Sequence, residues 1–145
     1  MTETMEPKLA DFGQSRGMFG IGAPNVGHMQ YRAPELCFSK NKNYLKLGHY
    51  NEKADVYSYA ILLWEIFHKE IPWAGADDVL KKVKEGKRPK VNKEIVQKPW
   101  RKLLKMCWVG DPAKRISANE IVGWIKAIPL IDNELETTQT STSDN

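Results

Sequence analysis

Residues 56–67 restrict most strongly what this chain can become. Every position in the stretch is apolar or aromatic except Ser58 and Glu65. A run of this length predicts a helix, and apolar side chains at every angle around a helix require cover on all sides. The segment is therefore expected to be a central core helix, and it is too short to cross a bilayer. Asn51 is placed to cap its N-terminus, Glu52 complements the helix dipole, and Pro72 ends any continuation.

A buried helix needs partners, and the rest of the sequence supplies them. Residues 77–85 carry Val79, Leu80 and Val83 on one face and stop at Gly86. Residues 99–108 begin with Pro99 in the first turn and bury Leu103, Leu104 and Cys107 or Trp108. Ser117 and Glu120 form a capping box ahead of Ile121, Val122, Trp124, Ile125 and Ile128. Residues 34–39 suit a further short helix, and residues 7–10 are compatible with a short strand. Residues 13–27 hold five glycines and one proline, the composition of a long functional loop. Residues 132–145 lack aromatics and carry six Ser/Thr, so they read as a disordered polar tail. A length of 145 residues allows one core, not two.

Charge is unevenly placed. Residues 81–105 hold eleven Lys/Arg against two acids, a local +9 within a chain whose net charge is only +4. These are mostly lysines at helical spacing beside apolar residues, without interleaved aromatics. That pattern favours a solvated helix face over a nucleic-acid interface, with a docking surface for an acidic partner segment as the intermediate reading. Two cysteines 70 positions apart exclude a disulfide scaffold or a cysteine zinc ribbon and suit a reducing cytoplasm. No secretory signal or membrane span is expected. The three histidines have no ligand spacing, and Trp64, Trp73 and Trp108 read as core or seam aromatics.

The order of several short motifs carries more than any one alone. Asp11-Phe12-Gly13 precedes the glycine-rich loop, and a carboxylate there suits Mg²⁺ held against nucleotide phosphates. Ala33-Pro34-Glu35 follows 22 residues later, then residues 55–66 (DVYSYAILLWEI), then residues 107–115 (CWVGDPAKR). In that order and at those distances, residues 8–127 resemble the C-terminal lobe of eukaryotic protein kinases, most closely the tyrosine-kinase-like group. The fold class implied is mainly α: the helical C-terminal lobe of the kinase fold, without its β-rich N-lobe and catalytic loop. Residues 1–131 would form this partial domain.

The resemblance assigns roles by position. Asp11 would coordinate the Mg²⁺ that bridges the ATP phosphates, Phe12 would pack to set the active or inactive arrangement, and Gly13 completes that nucleotide-site triplet. Gly27, His28, Met29, Gln30, Tyr31 and Arg32 would form the loop beside the residue being phosphorylated. Ala33 and Pro34 lead to Glu35, which would pair with Arg115. Asp55 would hydrogen-bond backbone amides of the catalytic loop. ATP and Mg²⁺ are the cofactors of the complete family domain, and protein substrates or regulators its partners.

Departures from the pattern bear on activity. Ten residues precede Asp11, too few for the HRD loop, the β3 lysine or the Gly-rich loop. Phosphoryl transfer depends on positioning and charge stabilisation, which one carboxylate does not supply. The chain by itself is expected to be catalytically inactive and to bind no cofactor. His28 stands where Ser/Thr kinases carry threonine, which leaves the hydroxyl acceptor, Ser/Thr or Tyr, open. Ser15 is the only hydroxyl side chain between Gly13 and Gly27, poor support for switching by a mid-loop phosphate. The expected function is that of a kinase fragment; the alternative is a non-catalytic module docking proteins through its basic helical face. Either way, a core helix without its family's covering elements favours aggregation or partner association.

Overall fold

The computed structural model describes residues 7–10, 12, 28–37 and 52–140, with side chains as far as residue 129. A 3-10 turn at Met29–Tyr31 leads into α1 (Pro34–Cys37). Then follow α2 (Lys53–His68), α3 (Val79–Lys84), α4 (Lys98–Cys107), a second 3-10 turn at Pro112–Lys114, and α5 (Ala118–Thr140). Among the described residues there is no strand. Residues 7–10, read above as compatible with one, have no regular structure and are exposed. A lone extended segment has no neighbour to take up its backbone donors and acceptors.

The expected central helix is α2, and its burial explains why the rest of the chain folds around it. Tyr57, Ala60, Ile61 and Trp64 are buried against Leu103, Leu104 and Cys107 of α4 and Ile121 of α5. Phe67 and Trp100 meet edge to face with ring centroids 5.4 Å apart, an arrangement their quadrupoles favour. Each fully buried Leu is worth about 2 kcal/mol. Both Cys107 and Trp108 are buried, where the sequence left a choice between them. Burial raises the Cys107 thiol to about 12, which keeps it neutral and inert.

The burial of α2 is incomplete, contrary to the expectation of cover on all sides. Leu62 is 47% exposed and Ile66 62% exposed. With exposed Asp55 and half-buried Tyr59 they occupy one helical stripe. Nothing among the described residues covers it. The ends of α2 also differ from the reading above. Asn51 lies outside the described residues, and Glu52 precedes the helix without a side-chain cap. The helix stops at His68, ahead of Pro72, because Lys69 turns left-handed (φ 54) and its N–H closes on the Glu65 carbonyl at 2.7 Å. Gly86 ends α3 with φ +78, a conformation glycine takes without a Cβ clash. Asp78 caps α3 by accepting the Lys81 N–H at 2.9 Å.

The basic segment is only partly helical. Lys81, Lys82 and Lys84 lie on α3 and Lys98, Arg101, Lys102 and Lys105 on α4, but Lys87, Arg88, Lys90 and Lys93 lie in the connection between them. Residues 132–140, placed above in a disordered tail, have helical backbone as the end of α5, and residues 141–145 lie outside the described residues.

The capping box opens α5. The Ser117 N–H donates to Glu120 Oε2 at 2.6 Å, and the Glu120 N–H donates to Ser117 Oγ at 3.2 Å. These bonds hold the Glu120 carboxyl below its ordinary value. A depressed carboxyl stabilises the fold above its unfolded pKa, and that contribution is lost as pH falls through the folded value. Ser117→Ala should cost about 1 kcal/mol in urea unfolding at neutral pH. The gap to wild type should narrow in acid, which parallel titrations at both pH values check.

Candidate functional site

Arg115 is the centre of the described part of the site. It is delivered by the Pro112–Lys114 turn, which Asp111 caps by accepting the Ala113 N–H at 3.0 Å. Its residue is 3% exposed, yet all five of its N–H donors find acceptors. Nε donates to the Val109 carbonyl at 2.7 Å. Nη1 donates to Glu35 Oε1 at 2.7 Å and the Lys53 carbonyl at 2.8 Å. Nη2 donates to Glu35 Oε2 at 2.7 Å and the Gly110 carbonyl at 3.2 Å. Lys53 Nζ returns a bond to the Arg115 carbonyl at 2.8 Å. A planar fork matching a carboxylate in two bonds is the geometry that makes burial of this charge tolerable.

Tyr57 extends the cluster into the core. The Arg115 and Arg88 guanidinium carbons lie 5.1 Å and 5.0 Å from its ring centroid, within cation–π range. Arg88 is itself fixed, donating Nε to the Trp108 carbonyl at 2.8 Å. Burial lowers the Arg88 pKa, and Arg115 lowers it further. The Tyr57 hydroxyl is buried without a hydrogen-bond partner among the described residues. Burial raises it to about 12, so it remains protonated.

The proposed substrate loop is pinned to α2 through Tyr31. The Tyr31 hydroxyl donates to Glu65 Oε2 at 2.8 Å, and Ser58 Oγ donates to the Tyr31 carbonyl at 2.9 Å. Burial and the Glu65 contact raise the Tyr31 hydroxyl above its ordinary value. Arg32 and Ala33 are buried, while His28 and Met29 stay exposed. One side of the loop is therefore anchored while the other stays open.

The structure thus brings Glu35 and Arg115 together, with Ala33 and Pro34 leading to them, and sets residues 28–32 against the same core. Asp11, Gly13 and Gly27 lie outside the described residues. Phe12, read above as a packing residue, is 64% exposed. Asp55 is exposed at the start of α2, its carboxyl raised by partial burial and by Glu52, and none of the described residues hydrogen-bonds it. No three metal-ligating side chains gather among the described residues. The sequence did not single out Lys53, Tyr57 or Arg88. Ser58 and Glu65 had left a signal, as the two polar breaks in the apolar run.

Glu35→Gln should lower stability by about 3 kcal/mol or more, because it leaves a buried guanidinium without its counter-charge. Glu35→Gln combined with Arg115→Met should recover part of the loss, and urea midpoints measure both. Tyr57→Phe removes a buried hydroxyl that no described group satisfies, and should raise stability by about 1 kcal/mol in the same assay.

Residues 1–125 match the family described as protein tyrosine and serine/threonine kinase. The chain is 35% identical over 129 residues to a Dictyostelium discoideum protein named as the probable serine/threonine-protein kinase roco7, covering 83% of this chain and 5% of that protein. It is 35% identical over 127 residues to the serine/threonine-protein kinase STY17 of Arabidopsis thaliana, covering 84% and 21%. Against the RGS domain-containing serine/threonine-protein kinase A of Dictyostelium discoideum it is 32% identical over 141 residues, covering 93% and 12%. The chain therefore spans at most about a fifth of these relatives' lengths. Its helical fold, its motif order and these matches agree, and the chain belongs to the protein kinase family.

Proposed function

We propose that residues 1–131 are the activation segment and C-terminal lobe of a kinase domain of the tyrosine-kinase-like group. The whole protein would transfer the ATP γ-phosphate to serine or threonine hydroxyls of protein substrates. The observation that carries this reading is the bidentate Glu35–Arg115 pair. It ties α1 to the helical core, next to residues 28–32, which Tyr31 anchors to α2. The choice of Ser/Thr over Tyr is supported by the relatives' names. Free Cys37 and Cys107 are consistent with signalling in a reducing cytoplasm. Among the described residues no helix is long and apolar enough to cross a membrane.

In this reading Asp11 is the Mg²⁺ ligand of the complete domain. Mg²⁺ at nucleotide sites is held by one or two carboxylates together with phosphate oxygens, and among the described residues no three carboxylate, histidine or cysteine side chains converge. By itself the chain is read as an inactive part of a kinase, because phosphoryl transfer depends on positioning and charge stabilisation that one carboxylate does not supply. The stripe bearing Leu62 and Ile66 is the face against which further kinase elements would pack.

Two measurements test the proposal. The 145-residue chain should incorporate no phosphate from radiolabelled ATP into casein, and should show no micromolar Mg²⁺-ATP affinity by calorimetry. Micromolar binding would overturn the claim that the nucleotide site is incomplete. The chain should also bind a hydrophobic dye and self-associate, both reduced by Leu62→Lys with Ile66→Lys. A monomeric elution profile with cooperative thermal unfolding of the unsubstituted chain would contradict the open-face reading.

A further inference from the structure

A groove of about 970 Å³ runs between the end of α2, the turn at residues 70–76 and the connection from α3 to α4. It lies apart from the Glu35–Arg115 pair, and the kinase reading gives it no role. Its lining carries five Lys/Arg side chains against two carboxylates, Glu70 and Glu94. Among the described residues, Lys82, Lys90 and Lys93 pair with no carboxylate, whereas Lys87 meets Glu85 at 2.7 Å. Cations gathered on a concave surface reinforce one another's field and favour an anionic occupant.

One wall is held rigidly. Trp64 Nε1 donates to the Lys90 carbonyl at 3.0 Å, and the Asn92 N–H donates to His68 Nε2 at 3.0 Å. His68 stacks on Trp64 with centroids 4.2 Å apart, and its Nδ1 lies 2.7 Å from the Trp64 carbonyl. That leaves Nδ1 as the donor and Nε2 as the acceptor. The backbone of residues 90–92 is thus fastened to α2, and Lys90 projects from a fixed base, with Lys93 directly after it. The opposite wall is the turn carrying Trp73, whose backbone is left-handed at φ 65. Its indole Nε1–H is buried without an acceptor among the described residues. Left-handed backbone at a tryptophan costs free energy and persists where the surroundings fix it.

The rim supplies an apolar component. Ile71 is 63% exposed and Ile95 51% exposed, and both line the groove. The aromatic lining residues Trp64 and His68 stack on each other and Trp73 lies in the wall, so the exposed rim offers nucleic-acid bases aliphatic side chains rather than a stacking platform. Carboxylates with an apolar residue between them answer both features of the surface. We propose that this groove is a docking site for an acidic protein segment carrying an aliphatic side chain, bound by Lys82, Lys90 and Lys93 and seated between Ile71 and Ile95. The proposal does not rest on the phosphotransfer reading, so its failure leaves the family assignment intact.

The probe is a fluorescein-labelled peptide alternating glutamate with leucine, titrated with the full chain and read by fluorescence anisotropy. Binding should saturate and weaken with added salt, as pairs at a solvent-exposed rim do. Lys90→Glu with Lys93→Glu should weaken it by roughly tenfold. Lys98→Glu with Lys105→Glu, the same change of net charge on exposed positions of α4, should change it by less than about twofold. Matching circular dichroism of the two double variants establishes that both fold. As a readout independent of any variant, the Trp73 indole N–H resonance of the unsubstituted chain should shift on peptide addition. Absence of saturable binding, equal loss in both double variants, or tighter binding of a polyuridine oligonucleotide than of the peptide would each overturn the proposal.

Discussion

The buried guanidinium of Arg115 is the constraint on which the rest of the arrangement depends. A charge excluded from water is tolerated only when its donors are all answered, and here the acceptors come from separated parts of the chain. Glu35 arrives from α1, the Lys53 carbonyl from the start of α2, and the Val109 and Gly110 carbonyls from the loop after α4. Each of these bonds fixes where an element begins or ends. Because an interior guanidinium loses more by missing one partner than it gains from any one, the cluster forms as a unit. It therefore couples the stability of the helical core to the position of α1 and of residues 28–32, which lead into it.

The two polar residues of the apolar run 56–67 complete that coupling. Ser58 and Glu65 are two helical turns apart, which puts them on one face. Both reach Tyr31, one at its carbonyl and one at its hydroxyl. A helix face packed into a core can spare few polar positions, because each must find a partner. The two it keeps serve the loop. The composition of α2 and the anchoring of residues 28–32 are thus one structural fact seen from two sides.

This explains what was legible in the sequence. The apolar run, the capping box of Ser117 and Glu120 and the proline and leucine positions of α4 act over a few residues, so spacing exposes them directly. The Glu35–Arg115 pair, separated by 80 positions, has no local signal and entered only through resemblance to the kinase family. Ser58 and Glu65 were visible as interruptions, but their purpose depends on Tyr31, which no periodicity in α2 reveals. The roles of Tyr57 and Arg88 were hidden because stacking over a ring leaves no trace in spacing. Lys69 escaped notice because a left-handed cap at a lysine runs against the preference for glycine, whereas Pro72 is the conventional stop.

The open stripe of α2 and the basic groove are different kinds of exposure. Leu62 and Ile66 project from a helix whose other faces are packed, and their part of the stripe is apolar, with Asp55 the charge at its N-terminal end. Such a face gains from any cover that removes water, so its partner is selected by shape and area. The groove mixes aliphatic residues with unpaired lysines on a backbone fastened by Trp64 and His68. There, a purely apolar occupant would leave the lysines without compensation, and a purely acidic one would leave Ile71 and Ile95 in water. Selectivity in the groove therefore comes from requiring both components at once, whereas the stripe discriminates little until the rest of a kinase domain supplies its shape.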